Sequence, residues 1–383
     1  MTGDMPTQGL LPTGLSDLLD PEAGLDAAAT QSVLSTFTQF GYRHVKPPLV
    51  EFEDSLLHEG PGAAVAQKAF RLMDPISHKM MALRSDMTAQ IARISGTRLH
   101  HLPRPLRLAY AGEVMRVVPD VLNPERQLVQ AGAELIGRAD NAASAEIIVL
   151  GARALQQVGI SGLTLDLGAP RLVQSLLAGA DQAMSDKIMS AVRERDSRGL
   201  EALSHPVAGH LAALLRASGS DPAMLAALVD SLPEEAGAIL TDLLDVAVSV
   251  QTVYPDLPIT LDPLELHGID YHTGIGFAFF GAGLRGEIAR GGSYITGFDE
   301  EATGISIYME RVLRGLPAGD AQPRIYLPAD LGLTAAMAYA DRGRHLVIGA
   351  AGTDDMPACE AEARALGCGF IVRDVASGPE ALE

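Results

Sequence analysis

Four short segments gather polar, titratable side chains at strand entrances and turns. Arg84, Asp86 and Thr88 lie in LRSDMTAQIAR, Glu113 and Arg116 in PLRLAYAGEVMRV, and Arg126, Gln130 and Glu134 in RQLVQAGAELIG. The fourth, LHGIDYHTGIGFAFF, sets His267, Asp270, Tyr271 and His272 between glycines and runs into an apolar strand, with Arg290 and Arg311 beyond it. Alternate residues of a half-buried strand point the same way, so Gln130 and Glu134 share a face. An amide and a carboxylate side by side present several acceptors, which suits an amine or an imidazole. The alternative for each residue taken singly is a structural ion pair or a solvated face, because paired charges are commoner than ligands. Nothing in LHGIDYHTGIGFAFF is an obvious nucleophile or metal cage, and neither a metal nor a cofactor is expected.

A sheet has to hold these segments. Pro21 and Glu22 open a helical run that reaches Phe40, and Gly41 closes it. YRHVKPPLVEFE alternates apolar and polar residues and carries two prolines, the pattern of an edge or interface strand. Residues 69–83 read as a hairpin turning at Asp74-Pro75, after which LRSDMTAQIAR is a turn feeding a helix. PLRLAYAGEVMRV and RQLVQAGAELIG read as strands separated by the loop VPDVLNPE. From Arg171 to Val253 Ala and Leu recur with a period near 3.6, which predicts several helices. Strand patterning returns at ITLDPLEL and continues through GIDYHTGIGFAFF, GEIARGGSYITGF and TGISIYMERVL. The expected architecture is α+β: an antiparallel sheet flanked by helices over residues 1–322, with a helical insertion at 171–258. A short α/β tail over 323–383 has strands at RIYLP, HLVIGA and GFIVRD.

Of the 383 residues, 47% are hydrophobic and 20% charged, enough apolar surface for a sizeable core. A net charge of −19 argues against nucleic acid as the main partner. Cys359 and Cys368 form neither a disulfide framework nor a zinc spacing and suit a reducing cytoplasm. MTGDMPTQGLLPTGLSDLL has no basic n-region and no apolar core, so it does not read as a signal peptide. No apolar run approaches bilayer-crossing length, so a soluble cytoplasmic protein without a membrane partner is expected.

In this order and spacing the segments resemble the core of class II aminoacyl-tRNA synthetases, histidyl-tRNA synthetase in particular, from PTGLSDLLDPE to MERVL. LRSDMT resembles that family's LRPEGT turn, and PLRLAYAGEVMRV with PERQLVQAGAELIG resembles its second motif. LHGIDYHTG resembles the RGLDYYTG segment, IARGGSY the glycine-rich AGGRYD strand, and TGISIYMER the third motif. The resemblance implies a histidine pocket in which Asp86, Thr88 and Gln130 hold the α-amino group and Glu134 faces the imidazole. Arg116, His267, Tyr271 and His272 complete the candidate set.

The departures matter as much. His267 stands where the family has the arginine of its activation step, and a neutral imidazole supplies no permanent charge or bidentate fork. The loop VVPDVLNPE contains no Lys or Arg, leaving Arg116 and Arg126 at its ends. Tyr308 replaces the third-motif glycine that admits the nucleotide, so its ring is expected in adenine's space. Ser293 and Ile295 replace the Arg and Asp of AGGRYD. Beyond Pro323 the tail holds five arginines, no lysine and nine acidic residues, a surface that repels nucleic acid.

A synthetase-like chain with a histidine-type pocket and without ATP chemistry resembles the regulatory subunits of ATP phosphoribosyltransferase. That resemblance implies assembly with short-form catalytic subunits around a homodimer core in a hetero-oligomer, with L-histidine as effector. The alternatives are a divergent histidyl-tRNA synthetase and a freestanding synthetase-like paralogue.

Overall fold

The computed structural model describes residues 10–57, 60–119, 124–265, 272–317, 324–340 and 345–382. The chain divides into two compact units, Met1–Pro317 and Ala318–Glu383.

The first unit begins with α1 (Glu22–Gln39), β1 (Arg43–His44) and β2 (Val50–Phe52), then the short helices α2 (Glu53–Leu56) and α3 (Pro61–Val65). The hairpin β3 (Arg71–Met73) and β4 (Met80–Leu83) turns at Asp74 and leads to α4 (Thr88–Thr97). Long strands β5 (Leu106–Met115) and β6 (Gln127–Ile136) precede α5 (Asn141–Val158) and β7 (Thr164–Gly168). The helical insertion comprises α6 (Pro170–Leu177), α7 (Gln182–Arg193), α8 (Ser197–Ala202), α9 (Pro206–Ala217), α10 (Pro222–Ala226) and α11 (Glu234–Val253). Strands β8 (Ile259–Leu261), β9 (His272–Phe280), β10 (Ala289–Ile295) and β11 (Glu301–Tyr308) follow, then α12 (Met309–Gly315).

Among the described residues eight strands form one sheet in the order β1-β5-β6-β11-β10-β9-β7-β8. Its centre is antiparallel as expected, but both outer pairs, β1 with β5 and β7 with β8, run parallel. A parallel return needs a long crossover, and the helical insertion provides one between β7 and β8. YRHVKPPLVEFE is two strands rather than one. Pro47 and Pro48 cannot donate to a ladder, so β1 ends before them at the edge of the large sheet. β2 resumes after them in a separate sheet of order β2-β4-β3.

The α1 terminus shows how local sequence sets the frame. The Gly41 N–H donates to the Thr38 carbonyl and the Tyr42 N–H to that of Phe37, with Gly41 at φ +83°. This is a Schellman closure, and its accompanying apolar contact is present, the Phe37 and Tyr42 rings lying 6.1 Å apart.

The sheet is covered on both faces. Ala131, Ala133 and Leu135 of β6 join Ile305 and Phe279 in a core with Val33 and Phe37 of α1 and Ile147 and Leu155 of α5. Leu108, Tyr110, Leu128, Ile136 and Tyr294 join Met87 and Ile91 around α4 on the other side. β6 is therefore interior on both faces rather than half-buried, and Gln130 and Glu134 belong to the second. Helix α11, 20 residues long, is long and apolar enough to cross a membrane by length and composition, contrary to the sequence expectation. Here its Leu240, Leu243, Val246 and Val250 are buried in the core instead.

The second unit has β12 (Arg324–Leu327), α13 (Gly332–Ala340), β13 (His345–Ile348), α14 (Met356–Ala365), β14 (Cys368–Val372) and β15 (Pro379–Ala381). β13, β12 and β14 run parallel, and β15 adds an antiparallel edge to β14. Cys359 and Cys368 are free and buried.

Candidate functional site

Strand register builds a trough across one sheet face. Glu134 pairs with Gly304, and the same row continues through Gly292 of β10, Gly276 of β9 and Gly168 of β7. A side chain at Gly304 would collide with the Glu134 carboxyl, and a Cβ at Gly292 would meet the His272 ring at 2.7 Å. The glycines let Glu134 and His272 lie across neighbouring strands.

At the β6 end of the trough the polar groups interlock. The Tyr110 hydroxyl donates to Glu134 Oε1 at 3.2 Å and the Tyr294 hydroxyl to Oε2 at 2.9 Å. Gln130 Nε2 donates to Ser306 Oγ at 2.6 Å and to Asp86 Oδ2 at 3.2 Å, while its Oε1 accepts from the Met87 N–H at 2.9 Å. Asp86 Oδ1 accepts from the Thr88 N–H at 2.7 Å. Asp86, Thr88, Gln130 and Glu134 thus meet, although the turn before α4 and strand β6 are far apart in sequence.

Arg84 fixes that turn. Its buried guanidinium donates to the carbonyls of Glu113 at 2.6 Å and Pro47 at 3.1 Å and to Gln90 Oε1 at 3.3 Å. It ties the end of β5 and the Pro47–Pro48 step to the start of α4. Gly112 leaves room for it, since a Cβ there would strike the guanidinium.

Glu134 is 1% exposed and has no cation beside it among the described residues. Burial, reinforced by the Asp86 charge, pushes its carboxyl up to about 8 against the pull of Tyr294, Thr88 and Tyr110. Neither Arg116 nor Arg126 forms an ion pair with Glu134. Arg126 instead donates to the Arg116 carbonyl at 3.1 Å and the Thr13 carbonyl at 3.2 Å and lies over the Phe70 ring.

His272 opens β9 in register with Tyr294. Burial and the Arg290 guanidinium push its imidazole down to about 3, so it is neutral. Arg116 does not join the Glu134 cluster. Its guanidinium lies over the Tyr308 ring, 5.7 Å from the centroid, and Arg311 lies over the same ring at 4.4 Å. Ser293 faces the opposite side of the sheet, within 3.1 Å of Thr303 Oγ1 and 3.4 Å of Ser144 Oγ. His267 and Tyr271 lie outside the described residues.

The sequence reading missed Tyr110, Tyr294 and Ser306, which complete the cluster. Two of them left a faint signal: Tyr110 falls between Leu108 and Gly112 in a strand alternation, and Ser306 is a lone hydroxyl between Gly304 and Tyr308.

A family model of histidyl-tRNA synthetase matches residues 14–312. The ATP phosphoribosyltransferase regulatory subunit of Paramagnetospirillum magneticum is 42% identical over 364 residues, 94% of this chain and 95% of that protein. Among solved structures, an ATP phosphoribosyltransferase regulatory subunit/histidyl-tRNA synthetase from Bacillus halodurans has the same fold. Its TM-score is 0.79 at 23% identity, covering 94% of this chain and 98% of that one. A chain of the ATP phosphoribosyl transferase (HisG:HisZ) complex from Thermotoga maritima reaches 0.58 at 18% identity, covering 74% and 97%. The chain belongs to the family of ATP phosphoribosyltransferase regulatory subunits and is built on the histidyl-tRNA synthetase fold.

Proposed function

We propose that this chain is the non-catalytic subunit that joins a short-form ATP phosphoribosyltransferase catalytic subunit in the cytoplasm, activates it and confers feedback regulation by L-histidine on the first step of histidine biosynthesis. Relatives that carry the regulatory-subunit name over nearly their whole length support the partner and the pathway. The observation that carries the effector is the buried cluster of Glu134, Gln130, Asp86 and Thr88. Asp86 and the Gln130 carbonyl oxygen offer acceptors to an α-ammonium group. Glu134, protonated at neutral pH, donates its O–H to the bare nitrogen of a neutral imidazole, while the other carboxyl oxygen keeps the Tyr294 hydroxyl. An analogue without a ring nitrogen would leave that carboxyl unpaired, at a cost of about 1–3 kcal/mol.

Buried Tyr308 supports the non-catalytic reading. Its ring occupies the surface of Arg116 and Arg311, so a nucleotide base would have to displace it. The isolated chain should therefore show no histidine-dependent ATP–pyrophosphate exchange. Exchange above background would favour the divergent synthetase instead.

Feedback requires two states of the assembly that differ in histidine affinity, and a coupling of about 1–3 kcal/mol corresponds to roughly 5–150-fold. In the reconstituted complex, Glu134→Ala should raise the half-inhibitory histidine concentration tenfold or more and leave activation near normal. An unchanged inhibition curve in a folded variant would place the effector elsewhere.

A further inference from the structure

The outer end of the trough opens into a cavity of about 390 Å³. That volume lies within the range of sites for small organic molecules, about 300–1,000 Å³. Its floor is sheet: Gly168, Gly276 and Ala278 present little or no side chain, whereas Phe277 and Phe279 alternate with them and Phe279 fills the opposite core. Its roof is the helical insertion, through Val173 and Leu177 of α6 and Met189 of α7. His272, in register with Tyr294 of the Glu134 cluster, also lines it.

The charges in the cavity are uneven. Asp166, Asp262, Glu265 and Glu287 line it against Arg193 and Arg290. Asp262 is bound by Arg195 at 2.5 Å and Glu287 by Arg290 at 2.6 Å. Among the described residues Asp166 forms no ion pair and has the Thr260 hydroxyl as partner, and burial together with the Asp262 and Glu265 charges holds its carboxyl above the usual range. An ammonium placed there offsets the repulsion among these carboxylates and favours the ionised form of Asp166. Among the described residues no three acidic, histidine or cysteine side chains converge as a metal site, which turns the choice from a bare metal ion to an organic cation. The apolar roof gives such a cation's carbon body somewhere to lie.

We propose that this cavity is a second ligand site, distinct from the Glu134 cluster, that takes a small primary amine with an apolar or aromatic body, its ammonium on Asp166 and its body against Val173, Leu177 and Met189. The probe is tyramine, titrated calorimetrically into the full chain without histidine or partner, so the outcome is independent of the feedback reading. One saturable tyramine per chain is expected, with 4-propylphenol, which replaces the ammonium by a methyl group, at least tenfold weaker. Asp166→Asn should weaken tyramine at least tenfold. Leu177→Trp, which fills the cavity from the roof and keeps every charge, should abolish binding. No saturable tyramine binding, equal binding of the two probes, or tyramine binding unchanged in either folded variant would overturn the proposal.

Discussion

Glu134 is a carboxyl held where its ionised form is disfavoured. Its folded value of about 8 lies above the roughly 4.3 of an unfolded glutamate. What this group adds to stability is fully present below the unfolded value and is lost as pH rises through the folded one. Glu134→Gln cannot ionise, so it should melt progressively higher than the wild type between pH 5 and pH 8, with the two converging at acid pH. Thermal melts across that range check it, and a difference that shrinks toward pH 8 would contradict the assigned burial. A residue that costs stability at neutral pH and is still present fits a binding role better than a structural one. Glu134, Gln130, Asp86 and Thr88 were legible in the sequence because motif order placed them together. The protonation of Glu134 was not, because it depends on tyrosines from β5 and β10 and on a sheet covered on both faces.

The elements around the cluster are held by a few specific groups. Arg84→Ala removes a buried guanidinium and leaves the Glu113 and Pro47 carbonyls without their donor. It should cost roughly 2–4 kcal/mol of stability at about 1–3 kcal/mol per unsatisfied buried group. Because Arg84 sets the turn that carries Asp86 and Thr88, the histidine response should weaken as well. Denaturant unfolding and inhibition curves on the same variant test both. Gly41→Ala isolates a different effect: nothing lies within 4 Å of a Cβ there, yet φ is +83°. It should lose about 1–2 kcal/mol through backbone strain alone, with histidine inhibition unchanged. Helix and strand positions followed from periodicity, and the Gly41 closure from a single residue. The split at Pro47–Pro48 and the parallel outer pairs did not, because pairing partners distant in sequence leave no local pattern. Residues 141–168, helix α5 and strand β7, had no assigned element although α5 lies at the centre of the larger core.

At the scale of the molecule, the acidic balance and the apolar fraction narrowed the class of partner, and the order of five motif-like segments gave the fold. β1 forms one edge of the large sheet, with Arg43 and His44 exposed and Phe40 and Leu49 also open to solvent. An unpaired strand edge beside exposed apolar side chains is a surface that a second copy can cover. The free chain is therefore expected to be a dimer through the segment from Val45 to Val50. Light scattering at micromolar concentration checks this, and a stable monomer would count against it. The measurement closest to the central claim combines this chain with a short-form ATP phosphoribosyltransferase catalytic subunit and follows phosphoribosyl transfer during a histidine titration. The account predicts faster turnover with the chain present, inhibition by histidine in the complex, and a half-inhibitory concentration at least tenfold higher with Glu134→Ala. A catalytic subunit whose rate and histidine response are the same with and without this chain would contradict it.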